Sequence, residues 1–433
     1  MLFSDIGILD KDFCLRENYF VGVKEGKIAY VGEEKPKEDF GETYDGRGKI
    51  LMSGLVNSHS HAPMTLLRGY AENLPLDRWL NDRVFPFEDR ISGEDPYYST
   101  LLAIAEMLES GTTSFTDMYF FSESVAKAVG ESGIKCNFSR AITSFQDCDI
   151  HTIESFKESE AIIRDFHGAF DGRLKIDMSL HAEYTNRRTI IEQFSEIVKA
   201  HGLRAHIHLS ETKKETEECK QRHGGLTPTA LFEACGLFQV PVTAAHCVWL
   251  SDDDMEILKN AGATVATCPA SNLKLGSGVC NVAKLLERGV RVAIGTDSVA
   301  SNNKLDMLRE MYLCALLPKG TTYRADAVSD RDVLKMATVN GYLAQGRADC
   351  GSIEAGNRAD LIVVRTDSVH MCPHTDTVNN LVYAADGRDV ALTMVDGNVL
   401  YRDGEFKTID IEKVRYEVEK RSRRIINEVT NHA

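Results

Sequence analysis

Gly54-Leu55-Val56-Asn57-Ser58-His59-Ser60-His61 is an apolar run that turns polar and finishes in two histidines one residue apart. In an extended segment residues i and i+2 point the same way, so both imidazoles can reach one ion. A lone HxH recurs by chance and decides nothing. What decides is that other short apolar runs finish alike. The run 174–181 ends in His181, 204–209 holds His208 with Glu211 just past it, 240–246 ends in His246, and 290–297 ends in Asp297. Together with 50–57, 113–118, 134–142 and 264–268 they make eight candidate strands. Charged, periodic segments such as 190–201 and 253–261 separate them and read as helices. Eight successive βα units predict an α/β fold, a (β/α)8 TIM barrel, whose chemistry gathers where the strands end at the C-terminal face.

Outward from the barrel, both chain ends have a strand texture. Residues 19–23 and 27–31 flank Glu25-Gly26, a hairpin signal. At the far end, 360–364 and 391–395 are followed by 399–401 after the turn Asp396-Gly397. Neither end has enough strands for a core. Together they predict one small β-sandwich domain built from both termini, 1–53 with 350–410, interrupted by a barrel over 54–349. The remainder, 411–433, carries Val414, Val418, Ile425 and Val429 among charges and predicts a C-terminal helix docked by one apolar stripe.

Bulk properties narrow the function. The chain has 433 residues, 43% of them hydrophobic, so a large core is available. A net charge of −15 argues against nucleic acid as partner, because a phosphate backbone rewards Lys and Arg. No apolar run approaches the roughly 18 residues of a membrane span, and charges at Asp5, Asp10, Lys11 and Asp12 break any signal-peptide pattern. The 11 cysteines are scattered, odd in number and without a CxxC pair, which suits free thiols in a reducing cytoplasm. His181-Ala182-Glu183 matches the HxE of zinc base deaminases, but their PCxxC is missing.

The strand-end residues form a ligand set with a chemistry. Imidazole and carboxylate suit zinc, and three or four such ligands leave a position open for water. In His206-Ile207-His208 the second histidine lies nearer the C-terminal end and is the better ligand; His206 reads as a core or supporting residue. Asp297 reads either as a helix N-cap or as a carboxylate beside the ion that takes a proton from the attacking water. Ser298 and Ser301 offer equally good caps, which favours the second reading. Glu211 is placed to shuttle a proton to a ring nitrogen or leaving group. His246 reads as a ligand or as a partner of the attacking water, and His181 as a group that polarises or orients the substrate; spacing alone does not choose.

These motifs, with Ala245-His246-Cys247, Gly295-Thr296-Asp297-Ser298 and the tail segment 351–361, resemble the amidohydrolase superfamily, and within it the 5-methylthioadenosine/S-adenosylhomocysteine deaminase group. The resemblance implies metal ligands His59, His61, His208 and Asp297 for one divalent ion per chain, zinc first, with Fe2+ or Mn2+ as alternatives. Paired-metal relatives carry a bridging lysine at the end of strand four, where this chain has His181. The resemblance also implies Glu211 as proton shuttle, His246 as partner of the attacking water, and substrate contacts from Trp79, Glu88, Arg140 and His181. Glu88 would hold ribose hydroxyls and Trp79 would wall the pocket, both from the segment 68–90 over the barrel mouth. The implied reaction is hydrolytic removal of the 6-amino group of an adenine nucleoside by a cytoplasmic homo-oligomer. One departure concerns the substrate. The group has a second arginine after strand three, whereas 141–163 contains none and Thr152 stands about where it would fall. The competing readings are the same machinery on another base, a triazine or an N-acyl bond, and a scaffold without metal.

Overall fold

The computed structural model describes residues 1–431. Its centre is a ring of parallel strands. The first barrel strand is Leu55–Ser60 and the second Thr112–Met118. The third is broken into Lys135–Ser139 and Ala141–Ile142, and the fourth into Leu174–Ile176 and Met178–Leu180. Ala205–Leu209, Val242–His246, Thr264–Thr267 and Arg291–Ile294 complete the eight. Neighbours pair in parallel throughout, as in Ile207 with Ala244 and Val265 with Val292. Nearly every strand residue is buried, because strands covered on both faces read as continuous apolar runs. Ile207, Val265 and Val292 pack outward against helix residues such as Phe194, Leu258 and Leu285.

The ring closes between the last strand and the first. The Asp297 N–H donates to the His59 carbonyl at 2.9 Å, and the Thr296 N–H to Asn57 Oδ1 at 3.0 Å. A Cβ at Gly295 would lie 2.8 Å from the His59 nitrogen, so this approach requires glycine. The closure thus joins the two stretches that carry metal-ligand candidates.

The termini combine as expected. One nine-stranded sheet draws Leu2–Leu9, Leu15–Lys24, Lys27–Gly32, Thr43–Asp45 and Lys49–Ser53 from the N-terminal end. Leu361–Arg365, Val390–Val395, Asn398–Arg402 and Glu405–Phe406 come from the C-terminal end. They enclose a β-sandwich core of their own, including Phe3, Ile6, Val21, Leu51, Val363 and Leu392.

Three expected strands are interrupted. The run 50–57 is two strands in two sheets: Lys49–Ser53 pairs with Leu361–Arg365, and Leu55–Ser60 enters the barrel. Gly54 is the turning point, its N–H held by the Asp360 carbonyl at 2.9 Å, and a Cβ there would meet Thr113 Oγ1 at 2.1 Å. The runs 134–142 and 174–181 break at Arg140 and Asp177. The Asp177 carboxylate accepts from the buried Asn137 amide at 3.0 Å. The run 290–297 leaves regular pairing after Ile294, where the chain bends to close the ring.

Helix Ile411–Asn431 docks as its stripe predicts, with Val414, Val418 and Ile425 buried and Val429 half-buried. Residues 432 and 433 of that expected helix lie outside the described residues. Arg421 and Arg424 pair with the buried Asp95, and Ser422 Oγ donates to the Leu66 carbonyl at 2.9 Å. The helix therefore braces the turn Ala62–Leu67, which follows His61 directly. Among the described residues, no helix is long and apolar enough to cross a membrane.

Candidate active site

The strand-end side chains converge. Ligand atoms of His59, His61 and His208 lie within 4.8 Å of one another, as do those of His59, His246 and Asp297. Asp297 Oδ1 is 3.2 Å from His61 Nε2 and 3.5 Å from His59 Nε2, and His208 Nε2 is 3.4 Å from His61 Nε2. Each imidazole is turned by a contact at its other nitrogen. Nδ1 of His61 meets the Met118 carbonyl at 2.5 Å, Nδ1 of His208 the His181 carbonyl at 2.7 Å, and Nδ1 of His246 the Asn272 side-chain oxygen at 2.9 Å. Nδ1 of His59 meets Nε2 of His206 at 3.0 Å. The four Nε2 atoms are left facing the centre, the arrangement by which supporting contacts fix the tautomer of metal-binding histidines.

The residues present fit a divalent cation. Nε2 of His59 is fully buried and has no hydrogen-bond partner, a state that costs free energy unless something binds there. Burial works to raise Asp297, but the two imidazoles win and hold its carboxyl well below the usual range. On His61 burial opposes charge, and the Asp297 carboxylate overrides it, raising the ring to about 9. Burial drives His59 down to about 3. The carboxylate thus attracts positive charge into a pocket of imidazoles, and a bound ion would take the place of a proton.

The backbone at these strand ends is strained. Ser210, His246, Cys247 and Asp297 all have left-handed φ values, at 49°, 69°, 51° and 59°. Each costs on the order of 1–3 kcal/mol for a residue other than glycine and persists only where surroundings enforce it. The Cys247 N–H bonds to the Leu209 carbonyl at 3.0 Å, and the Asp297 N–H to His59.

Above the ligand cluster lies a cavity of about 530 Å³, within the size range of small-molecule sites. Trp79, Glu88, His181, Glu211, His246 and Asp297 all line it. Glu211 is buried, accepts from Ser277 Oγ at 3.3 Å and lies 3.8 Å from His246 Nε2. Burial pushes its carboxyl up. Glu88 accepts from Tyr119 Oη at 2.6 Å, and burial lifts it to about 7 against that bond. His181 is lowered to about 4, first by burial and then by the neighbouring imidazoles. Trp79 donates its indole N–H to the Ala71 carbonyl at 3.3 Å and presents its ring. Arg140 is not brought in: its guanidinium pairs with Glu158 and with the Ala141 carbonyl.

Several supporting contacts were not legible in the sequence, which offers Ser298 and Ser301 only as helix caps. Ser271 and Ser301 hydroxyls hold Asp297 Oδ2 at 2.6 and 2.8 Å, leaving Oδ1 for the centre. Ser298 caps the helix Val299–Asn302, so Asp297 is not its cap. Asp117 receives Ser60 Oγ and the Ala62 N–H and so clamps the segment around His61. Glu215 receives the N–H groups of Ser210 and Glu211. Its place four residues past Glu211, in the first turn of the following helix, was the available signal.

Fold and site together define a metal-dependent hydrolase built on a TIM barrel. The chain matches the amidohydrolase family over residues 50–400 and belongs to that family. It is 40% identical over 429 residues to the 5-methylthioadenosine/S-adenosylhomocysteine deaminase of Thermoanaerobacter pseudethanolicus, covering 98% of this chain and 99% of the relative. It is 41% identical over 388 residues to the 5'-deoxyadenosine deaminase of Methanothermobacter thermautotrophicus, covering 90% of each. The fold matches an adenosine deaminase from Xanthomonas campestris with bound zinc, at a TM-score of 0.92 and 30% identity over 98% of each chain.

Proposed function

We propose that the protein is a hydrolytic deaminase of adenine nucleosides, with one zinc ion held by His59, His61, His208 and Asp297. The observation that carries this reading is the convergence of four Nε2 atoms and Asp297 Oδ1 beneath a nucleoside-sized cavity whose wall also holds Glu211 and Glu88. Relatives at about 40% identity that act on adenine nucleosides support it. The ion would supply Lewis acidity, making water a nucleophile near neutral pH.

The chain's residues do the rest. Asp297 takes one proton from the attacking water, with Ser271 and Ser301 fixing its other oxygen. His246, held by Asn272, orients that water towards C6 of the purine. Glu211, kept protonated by burial, gives its proton to ring N1 as the new C6–O bond forms. The C6–N bond then breaks, and the amine leaves as ammonia with the proton that Asp297 held. The remaining hydroxyl proton returns to Glu211, so water enters and ammonia leaves. Glu88 accepts from the ribose hydroxyls, and Trp79 covers one face of the nucleoside.

The test is a panel of 5'-methylthioadenosine, 5'-deoxyadenosine, adenosine and S-adenosylhomocysteine beside guanine, cytosine and a chlorotriazine. Ammonia and an inosine analogue from one or more adenine nucleosides is the expected result. Turnover confined to the other compounds would overturn the reading.

A further inference from the structure

The cavity is anionic and aromatic. Among the described residues, no lysine or arginine lines it. Its walls include Phe85, Phe120 and Phe145, and Phe85 and Phe145 are 44% and 66% exposed. Exposed phenylalanines gathered at a cavity mark a surface that an apolar group covers. With C6 of the purine at the ligand cluster and the ribose at Glu88, the 5' substituent is the part of the nucleoside left to meet such a surface.

Two guanidinium groups reach the backbone of lining residues from outside the cavity: Arg187 donates to the Phe145 carbonyl at 2.9 Å, and Arg140 is held by an acid. Arg140 sits at the break in the third barrel strand, and the next residue, Ala141, lines the cavity. The guanidinium lies over the ring of Phe120, 5.3 Å from its centroid. Its Nε is nonetheless bound to the carboxylate of Glu158, and its Nη1 donates to the Ala141 carbonyl at 2.8 Å. Glu158 belongs to helix Glu154–Phe166, and Ser159 of the same helix donates its hydroxyl to the Arg140 carbonyl at 3.1 Å. One helix therefore fixes both the backbone and the charge of Arg140.

We propose that Glu158 is a specificity-determining residue: by holding Arg140 out of the cavity it selects adenine nucleosides with an apolar 5' substituent over those ending in an amino-acid group. The proposal rests on the deaminase reading above. An amino-acid end carries an ammonium and a carboxylate. The cavity wall offers carboxylates such as Asp89 to the ammonium, but among its lining residues there is no lysine or arginine to receive the carboxylate, which gives up water unpaired. Losing one charge-assisted hydrogen bond lowers relative efficiency by about tenfold to a hundredfold.

The experiment measures kcat/KM for 5'-methylthioadenosine, 5'-deoxyadenosine and S-adenosylhomocysteine in the zinc-loaded wild type, in Glu158→Gln, and in Glu158→Gln combined with Arg140→Met. The wild type should favour the two apolar substrates by about tenfold or more. Glu158→Gln should narrow that ratio by about tenfold, and the added Arg140→Met should restore it. Equal or better wild-type efficiency on S-adenosylhomocysteine would overturn the proposal, as would a ratio unmoved in Glu158→Gln. Because each ratio is referred to the apolar nucleosides, a failed proposal still leaves their deamination visible. If no adenine nucleoside is turned over, it is the deaminase reading that fails.

Discussion

Nδ1 of His59 rests on the ring of His206, a supporting contact between two imidazoles, whereas His61 and His208 rest on backbone carbonyls. The doublet His206-Ile207-His208 signalled a metal site and which of its two histidines reaches the centre, but not which ligand the other one supports. Both side chains face the ring interior; the one nearer the strand end reaches the centre, and the other supports His59. His206→Leu removes the acceptor while keeping the bulk, and should weaken zinc binding by about 10–100-fold in a chelator competition, with His206→Gln closer to wild type. Asp297→Asn should abolish turnover, since the acceptor for the water proton is lost. Glu211→Gln should lower kcat by about 10² or more while the zinc stays bound, a division that metal analysis of the purified variant checks directly. Glu88 adds a pH dependence. Its folded value of about 7 lies above the ordinary carboxylate range, so the charged form that accepts ribose hydroxyls is lost as pH falls through 7. KM for the nucleoside should rise below that pH, and Glu88→Gln should have a higher KM that no longer follows it. The strand-end ligands were legible because each ends an apolar run. Ser271, Asn272 and Ser277 were not, because they sit on or after a short helix, Pro269–Lys274, with no pattern of their own.

Strand existence was readable from the apolar runs, whereas the breaks were not. Nothing local in 50–57 says that its first half belongs to another sheet; the contact of Gly54 with Thr113 decides it, and that contact is 59 positions away in the chain. At the other two breaks, Arg140 and Asp177 bind the side chains of Glu158 and Asn137, contacts that no local pattern announces. The C-terminal helix was readable because its stripe repeats at helical spacing. Its consequence was not: it buttresses the turn Ala62–Leu67 beside His61 through Ser422 and, through the Arg421 and Arg424 pairs with Asp95, the helix Asp95–Glu109. Ile425 is fully buried there, so Ile425→Ala should destabilise the protein by about 2–5 kcal/mol. A lower midpoint in chemical unfolding, followed by a probe of the barrel rather than of the helix alone, is the expected outcome.

At the scale of the molecule, the barrel assembles a reaction centre from parts spread over more than half of the chain. His59 and Asp297 meet because the eighth strand closes onto the first at Gly295. The alternation of runs and helices predicted that closure. The β-sandwich was legible only by adding the two ends together, since each lacks a core alone. Arg140 shows the limit of reading residues in sequence: the family resemblance offered it as a substrate contact, and only the packed helix reveals that its charge is paired with Glu158. The central claim is that this fold makes one catalytic metal centre per chain that deaminates adenine nucleosides. The most direct measurement removes metal from the protein, titrates zinc back, and follows ammonia release from 5'-methylthioadenosine. Activity should be absent at the start, rise in proportion to zinc, and break sharply at one equivalent per chain. A break at two equivalents, or full activity in protein shown to be free of metal, would contradict the account.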